Sequence, residues 1–303
     1  MRFSPGEWRR EIDWQLKRAL PWSRPVRKRP TPLSKLQTQL SRDARYRFEQ
    51  LREQYDLKAW DGICTPIEHK ESLYVLDLLD RHVPKPPRHL EIQALDVGSK
   101  SWPYLPGLYS WLSTSWTGVE LDAHVRYLDF TTRRAHGETM AAHHPGCRYL
   151  AENVLNITGQ YDVITWLLPF VTPAPLESWG LPARFFAPER MLQHIHGLLA
   201  PGGCLFISHN TQAEARAQAV LLDQCNLNYV DRLSMRSPFA PERERHPGWL
   251  VKKQGWQEAA RFPTLRSNGA TKHWPSPEGE CRIASSKIYQ SEKSLEFLIP
   301  RRP

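Results

Sequence analysis

The sequence predicts an α/β protein: a doubly wound, mostly parallel sheet with helices on both faces, preceded by a helical extension. Three observations carry that prediction. An apolar run closes on Asp96-Val97-Gly98, and about twenty residues later a second run closes on Glu120. A strand that reaches a tight turn, a departing helix and a next strand ending in an acid are the opening of a nucleotide-binding sheet. Strand-like and helix-like stretches then alternate from residue 91 to residue 234, which argues for parallel strands joined by helical crossovers. Finally, Leu198-Leu199-Ala200-Pro201-Gly202-Gly203 stops a helix and passes at once into an apolar strand.

Composition narrows the class. At 303 residues the chain can bury a sizeable core. No apolar run approaches the ~18 residues that span a bilayer, and the first residues lack an apolar signal core, so a cytoplasmic protein is expected. Five cysteines (Cys64, Cys147, Cys204, Cys225, Cys281) stand without paired spacing, which predicts reduced thiols, no disulfide framework and no metal site. The net charge of +9 is uneven: residues 1–70 hold 16 Lys and Arg against 9 Asp and Glu, and the remainder 25 against 23. The basic character thus belongs to the N-terminal segment rather than to the predicted sheet, which disfavours a nucleic-acid enzyme with its positive face around the active site.

In chain order, residues 7–20 form an amphipathic helix whose stripe is Trp8, Ile12, Leu16 and Ala19/Leu20. The reading taken is that this stripe packs on the body of the protein or on a second subunit, because Glu7, Glu11 and Asp13 dilute the basic face. A membrane-surface or RNA-binding arm is the other reading, since Trp and Arg are the residues such arms use. A basic, proline-rich linker follows. Residues 34–57 predict a second helix with Ser34 as cap, and residues 66–82 a third, with Thr65 as cap, Pro66 in its first turn and Leu73, Leu76, Leu78 and Leu79 inward. The proline run from Pro84 to Pro87 divides a helical extension, residues 1–83, from an α/β domain, residues 84–303.

Within that domain, strands are predicted at 91–97, 116–121, 147–151, 161–168, 204–208 and 228–234, and helices at 104–112, 124–141, 188–199 and 211–225. Residues 237–280, rich in Pro, Arg, Gly and Trp, predict an insertion or lid, and a last strand falls at 283–290.

Four motifs now stand in order: Leu95-Asp96-Val97-Gly98, Gly118-Val119-Glu120-Leu121-Asp122, Tyr161-Asp162-Val163-Ile164-Thr165 and Leu198-Leu199-Ala200-Pro201-Gly202-Gly203-Cys204-Leu205-Phe206-Ile207. Over residues 90–235 the chain resembles the class I S-adenosylmethionine-dependent methyltransferases. The resemblance implies a Rossmann-like methyltransferase fold, S-adenosylmethionine as cofactor and methyl transfer to a small or medium-sized acceptor. It also implies roles. Gly98, with Asp96, Ser99 and Lys100, would hold the methionine part; Glu120 the ribose hydroxyls; Leu121 and Asn153 the adenine.

The departure is Ser99-Lys100-Ser101-Trp102, where the family carries further glycines; Lys100 is free to pair with the cofactor carboxylate, with Glu120 or Glu152, or with an anionic substrate. A non-catalytic binding protein on the same fold is the alternative that this departure favours. After the fourth strand, Leu167 stands where amino-group methylases of DNA carry a polar residue, which counts against that chemistry. After the fifth, His209 is a candidate general base near neutral pH, or a cap for the helix that follows. His143 and His144 read as exposed, and Trp179, Phe185 and Phe186 as either a substrate wall or a packed loop. The expected partner is a small molecule; an RNA- or membrane-associated enzyme using the basic arm, or a homo-oligomer through the N-terminal helices, stays open.

Overall fold

The computed structural model describes residues 4–20, 22–86, 91–241 and 247–253, with only the backbone at 231 and 232. In chain order the elements are α1 (Pro5–Ala19), α2 (Leu33–Gln37), α3 (Arg42–Gln54), α4 (Pro66–His82), β1 (Gln93–Val97), α5 (Leu105–Trp111), β2 (Ser115–Val119), α6 (Arg133–Ala142), β3 (Arg148–Leu150), β4 (Tyr161–Leu167), α7 (Pro173–Ser178), α8 (Pro188–Gly197), β5 (Leu199–Ser208), α9 (Gln212–Gln224), β6 (Tyr229–Ser234) and β7 (Pro247–Lys252). One seven-stranded sheet runs β3-β2-β1-β4-β5-β7-β6. Strands β1 to β5 are parallel, and β7 lies antiparallel between β5 and β6. This is the mixed, mostly parallel α/β architecture expected.

Alternation along the strands builds a core on each face. From β5, Cys204 and Phe206 join the layer of α3, α4 and α5, whereas Leu205 and Ile207 join that of α8 and α9. Gly107 sets the spacing of α5 against α4: a Cβ there would come 2.4 Å from the Ser72 carbonyl oxygen, so only glycine lets the two backbones meet. On its other side α4 carries Asp77, fully buried, which receives hydrogen bonds from Arg47 Nε (2.7 Å) and Arg81 Nη2 (2.9 Å). A buried carboxylate held by two guanidiniums welds α4 to α3.

Several expectations are corrected. The single helix over 34–57 is two, because Thr38 turns its hydroxyl onto the Lys35 carbonyl and Ser41, not Ser34, caps the second. The helix expected from 124 begins only at Arg133, where Thr132 caps it; the residues before form a loop closed by a bridge between Arg126 and Thr132. The 237–280 segment contains β7, whose buried Trp249-Leu250-Val251 is masked in sequence by Pro247-Gly248 before it and lysines after it. The rest of that segment from 254, and the strand expected at 283–290, lie outside the described residues. His144 is buried rather than exposed, with Nδ1 on the Met140 carbonyl (3.0 Å) and its ring edge-on to Tyr109.

The Trp8-Ile12-Leu16-Leu20 stripe does not pack on the body. These side chains are 49–59% exposed, and Trp14, off the stripe, is the buried residue of α1. No helix among the described residues is long and apolar enough to cross a membrane.

Candidate functional site

The turn after β1 keeps a glycine-type backbone without the glycines. Gly98 has φ 76°, and Lys100 (53°) and Trp102 (56°) also take the left-handed conformation that costs a side-chain-bearing residue roughly 1–2 kcal/mol. Several contacts over-determine that shape. The amides of Gly98 and Ser99 donate to the Val119 carbonyl (2.8 and 3.2 Å), and that of Trp102 donates to the Ser99 carbonyl (2.8 Å). The Lys100 amide donates to Glu120 Oε2 (2.8 Å), and its carbonyl accepts the Tyr149 hydroxyl. Beneath the turn the Trp102 ring is fully buried on Gly118, where a Cβ would come within 2.8 Å of it. Above, a Cβ on Gly98 would meet nothing nearer than the Leu167 carbonyl oxygen at 4.0 Å, so the backbone there is open to a ligand.

Glu120 follows directly on β2 and is 5% exposed. Its Oε1 accepts the Asp122 amide (2.7 Å), and Arg133 Nη1 stands 3.6 Å from Glu120 and 3.5 Å from Asp122. Two cations beside this carboxylate converge on Trp179: Lys100 Nζ lies 5.2 Å and Arg133 Cζ 4.7 Å from the indole. Lys100 therefore rests on an aromatic face. Leu121, Trp179, Phe185 and Phe186 pack with Trp14, Leu176 and Leu181 in a small third cluster, which closes this side of the site under α1. Asn153 accepts the Leu155 amide (3.0 Å) at the start of a short 3-10 turn, leaving its amide nitrogen and one lone pair for other partners.

Asp96 is fully buried on the α5 side of β1. Thr165 donates to its Oδ1 (2.6 Å), and Tyr104 and Trp102 turn their OH and N–H toward the same carboxyl without reaching good hydrogen-bond geometry. Burial, the dominant cause, pushes its pKa up to about 7. The Ser99 hydroxyl is buried without a hydrogen-bond partner among the described residues.

A cleft of ≈150 Å³ opens where Gly98 and Lys100 meet Leu167, Leu168 and Ser208 at the carboxyl ends of β1, β4 and β5. Its far wall is α4, through Ile67, Glu71 and Tyr74. Leu168 also has positive φ (60°), so three of the five non-glycine residues with that conformation among the described ones sit on the two turns flanking this cleft. The structure thus brings together Asp96, Gly98, Ser99, Lys100, Glu120 and Leu121. It holds His209 apart: Ser208 lines the cleft, while the buried His209 ring packs edge-on to Trp249 at 5.4 Å, and Thr211 caps α9. The sequence reading missed Glu71 and Tyr74. Their one signal is a polar and an aromatic residue interrupting a leucine-rich helix three residues apart, on neighbouring positions of one face.

No family model and no curated protein matches this sequence. Among solved structures the chain is similar to a methyltransferase of Aquifex aeolicus described as SAM-dependent (11% identity, 73% of this chain and 96% of that one, TM-score 0.42). It is similar to a ribosomal protein L11 methylase of Lactobacillus delbrueckii subsp. bulgaricus (14%, 61% and 79%, TM-score 0.42). A third is the magnesium protoporphyrin IX methyltransferase of Synechocystis PCC 6803 (10%, 76% and 100%, TM-score 0.38).

Proposed function

We propose that this chain binds S-adenosylmethionine along the carboxyl ends of β1 and β2 and transfers its methyl group to a small or medium-sized acceptor lying between α4 and β4. The observation that carries this reading is the backbone of Lys100 and Trp102. Strain of that kind persists where surrounding contacts impose it, and it clusters at ligand sites. The residues suit the cofactor: open backbone over Gly98 and the buried Ser99 hydroxyl for the methionine part, and spare lone pairs on Glu120 for the ribose. When bound, the cofactor supplies an electrophilic methyl carbon.

The chain's own share is alignment and desolvation. Glu71, on the wall facing Gly98, is the carboxylate of the cleft and is placed to take a proton from an acceptor. A proton role for His209 would require its contact with Trp249 to open. The cleft is smaller than the roughly 300–1,000 Å³ of ordinary ligand pockets, so binding must widen it, and Lys100, which rests on Trp179, is a long flexible side chain of its lining.

The second reading, a binding protein without catalysis, is favoured by the two backbone amides that Glu120 already holds and by Trp179 standing on its neighbours. Calorimetric titration with S-adenosylmethionine and S-adenosylhomocysteine tests both. Failure of both ligands to bind at millimolar concentration ends the enzyme reading. If they bind, Glu120→Ala should weaken affinity by about 1–3 kcal/mol, and an unchanged affinity removes Glu120 from the site.

A further inference from the structure

The helix α1 is mounted with its charged side inward. The residues turned toward the body are Glu7, Arg10, Glu11, Trp14 and Lys17, four of the five charged. They are held by a two-pronged Arg184–Glu11 pair (2.9 and 2.9 Å), a Lys17–Asp122 pair (3.8 Å) and the Trp14 ring on Phe185 (4.7 Å). At 3.6 residues per turn, Trp8, Ile12, Leu16 and Leu20 fall opposite Trp14.

The outward stripe continues beyond the helix. Arg126 Nη2 donates to the Leu20 and Trp22 carbonyls (2.9 and 3.0 Å), and the Arg24 amide donates to the Phe130 carbonyl (3.0 Å). These bonds join Trp22 (59% exposed), Leu128 (60%) and Phe130 (49%) to the end of the stripe. Exposed arginines border it: Arg9 on the helix, and on the adjoining loops Arg24 over the Phe130 ring (5.1 Å) and Arg126 over the Trp22 ring (6.0 Å). The nearby acids are already engaged, Asp13 by Arg9 (4.0 Å) and Asp129 by the amide and hydroxyl of Thr131 (2.9 and 2.6 Å).

We propose that this face lies on the surface of an anionic lipid bilayer. Its Trp, Leu, Ile and Phe side chains enter the boundary between head groups and acyl chains, and its arginines meet the phosphates. Charge decides against a second copy, since a two-fold contact would bring two copies of the same net-positive patch together. The aliphatic centre decides against RNA, because Ile12, Leu16 and Leu20 offer no π-face for a base. The proposal does not depend on methyl transfer.

The test is flotation of the full chain with vesicles of phosphatidylcholine alone or mixed with phosphatidylglycerol. Binding is expected to the mixed vesicles only and should fall as salt is raised. Replacing Ile12 and Leu16 together by serine, which leaves charge unchanged, should weaken partitioning on the order of tenfold or more; the melting temperature should hold. Arg9→Ser should weaken it roughly fivefold. Absence of binding to either vesicle overturns the proposal, as does equal binding to both, or undiminished binding of the double serine variant. A dimer that this variant dissolves, without vesicle binding, assigns the face to a second copy instead. Salt-sensitive RNA binding without vesicle binding assigns it to nucleic acid.

Discussion

The helices α1 and α4 start alike and finish in opposite surroundings. Each has a proline in its first turn and a reciprocal capping box, Ser4 with Glu7 and Thr65 with Glu68. Yet α4 buries ten of its seventeen residues, whereas α1 buries Trp14 alone. Local signals decide that a helix forms; the partner decides which face it hides. For α4 that partner is the sheet and α3. For α1 it is a satellite cluster and two ion pairs, while its apolar stripe looks outward.

The largest test of this contrast pairs two leucines. Leu76→Ala, in the fully buried part of α4, should lower unfolding free energy by about 2–5 kcal/mol in urea titrations. Leu16→Ala should stay within about 0.5 kcal/mol; equal losses would dissolve the distinction. Next, Trp14→Ala should release α1 without unfolding the body. Amide exchange across residues 5–19 would quicken while α4 kept its protection, and parallel loss in both would show one cooperative unit.

The caps give a smaller contrast. Thr65→Ala should cost about 1 kcal/mol of global stability, and Ser4→Ala should move the urea midpoint far less because α1 frays on its own. The smallest effect is pH. Burial, the main cause, lowers the pKa of His69 on α4, while its Nε2 meets the Thr31 carbonyl (2.7 Å) and Asp61 and Glu68 pull the other way. The folded chain keeps this ring neutral where the unfolded chain takes a proton. Its contribution is therefore present above pH ~6.5 and lost as pH falls below that value. His69→Gln should flatten the acid side of the stability profile; a steeper one would refute the assignment. No histidine in α1 has a matching effect.

The parallel strands β4 and β5 were legible because their runs are apolar on both faces, and β1 because it ends at a turn signal, Asp96-Val97-Gly98. The antiparallel β7 was not. Four apolar-compatible residues after a proline do not announce a strand until Gly248 is seen to lie against Met235 and the Ile207 carbonyl. In the site, Gly98 and Glu120 could be placed from spacing, since β1 and β2 pair in register. Glu71 could not, because the α4 wall is a contact between segments far apart in sequence. Nor could the orientation of α1: periodicity identifies an apolar stripe but says nothing of what lies beneath it.

The tryptophan under the β1 turn constrains how this chain can change over time. A side chain added at Gly118 would collide with the Trp102 ring, and a smaller residue at 102 would leave a hole beneath Lys100. Neither position can move first without loss, so drift at the two should come as paired replacements. The pair therefore acts as a ratchet: a step from this indole toward a glycine-rich turn passes through a less stable protein unless position 118 fills the space at the same time.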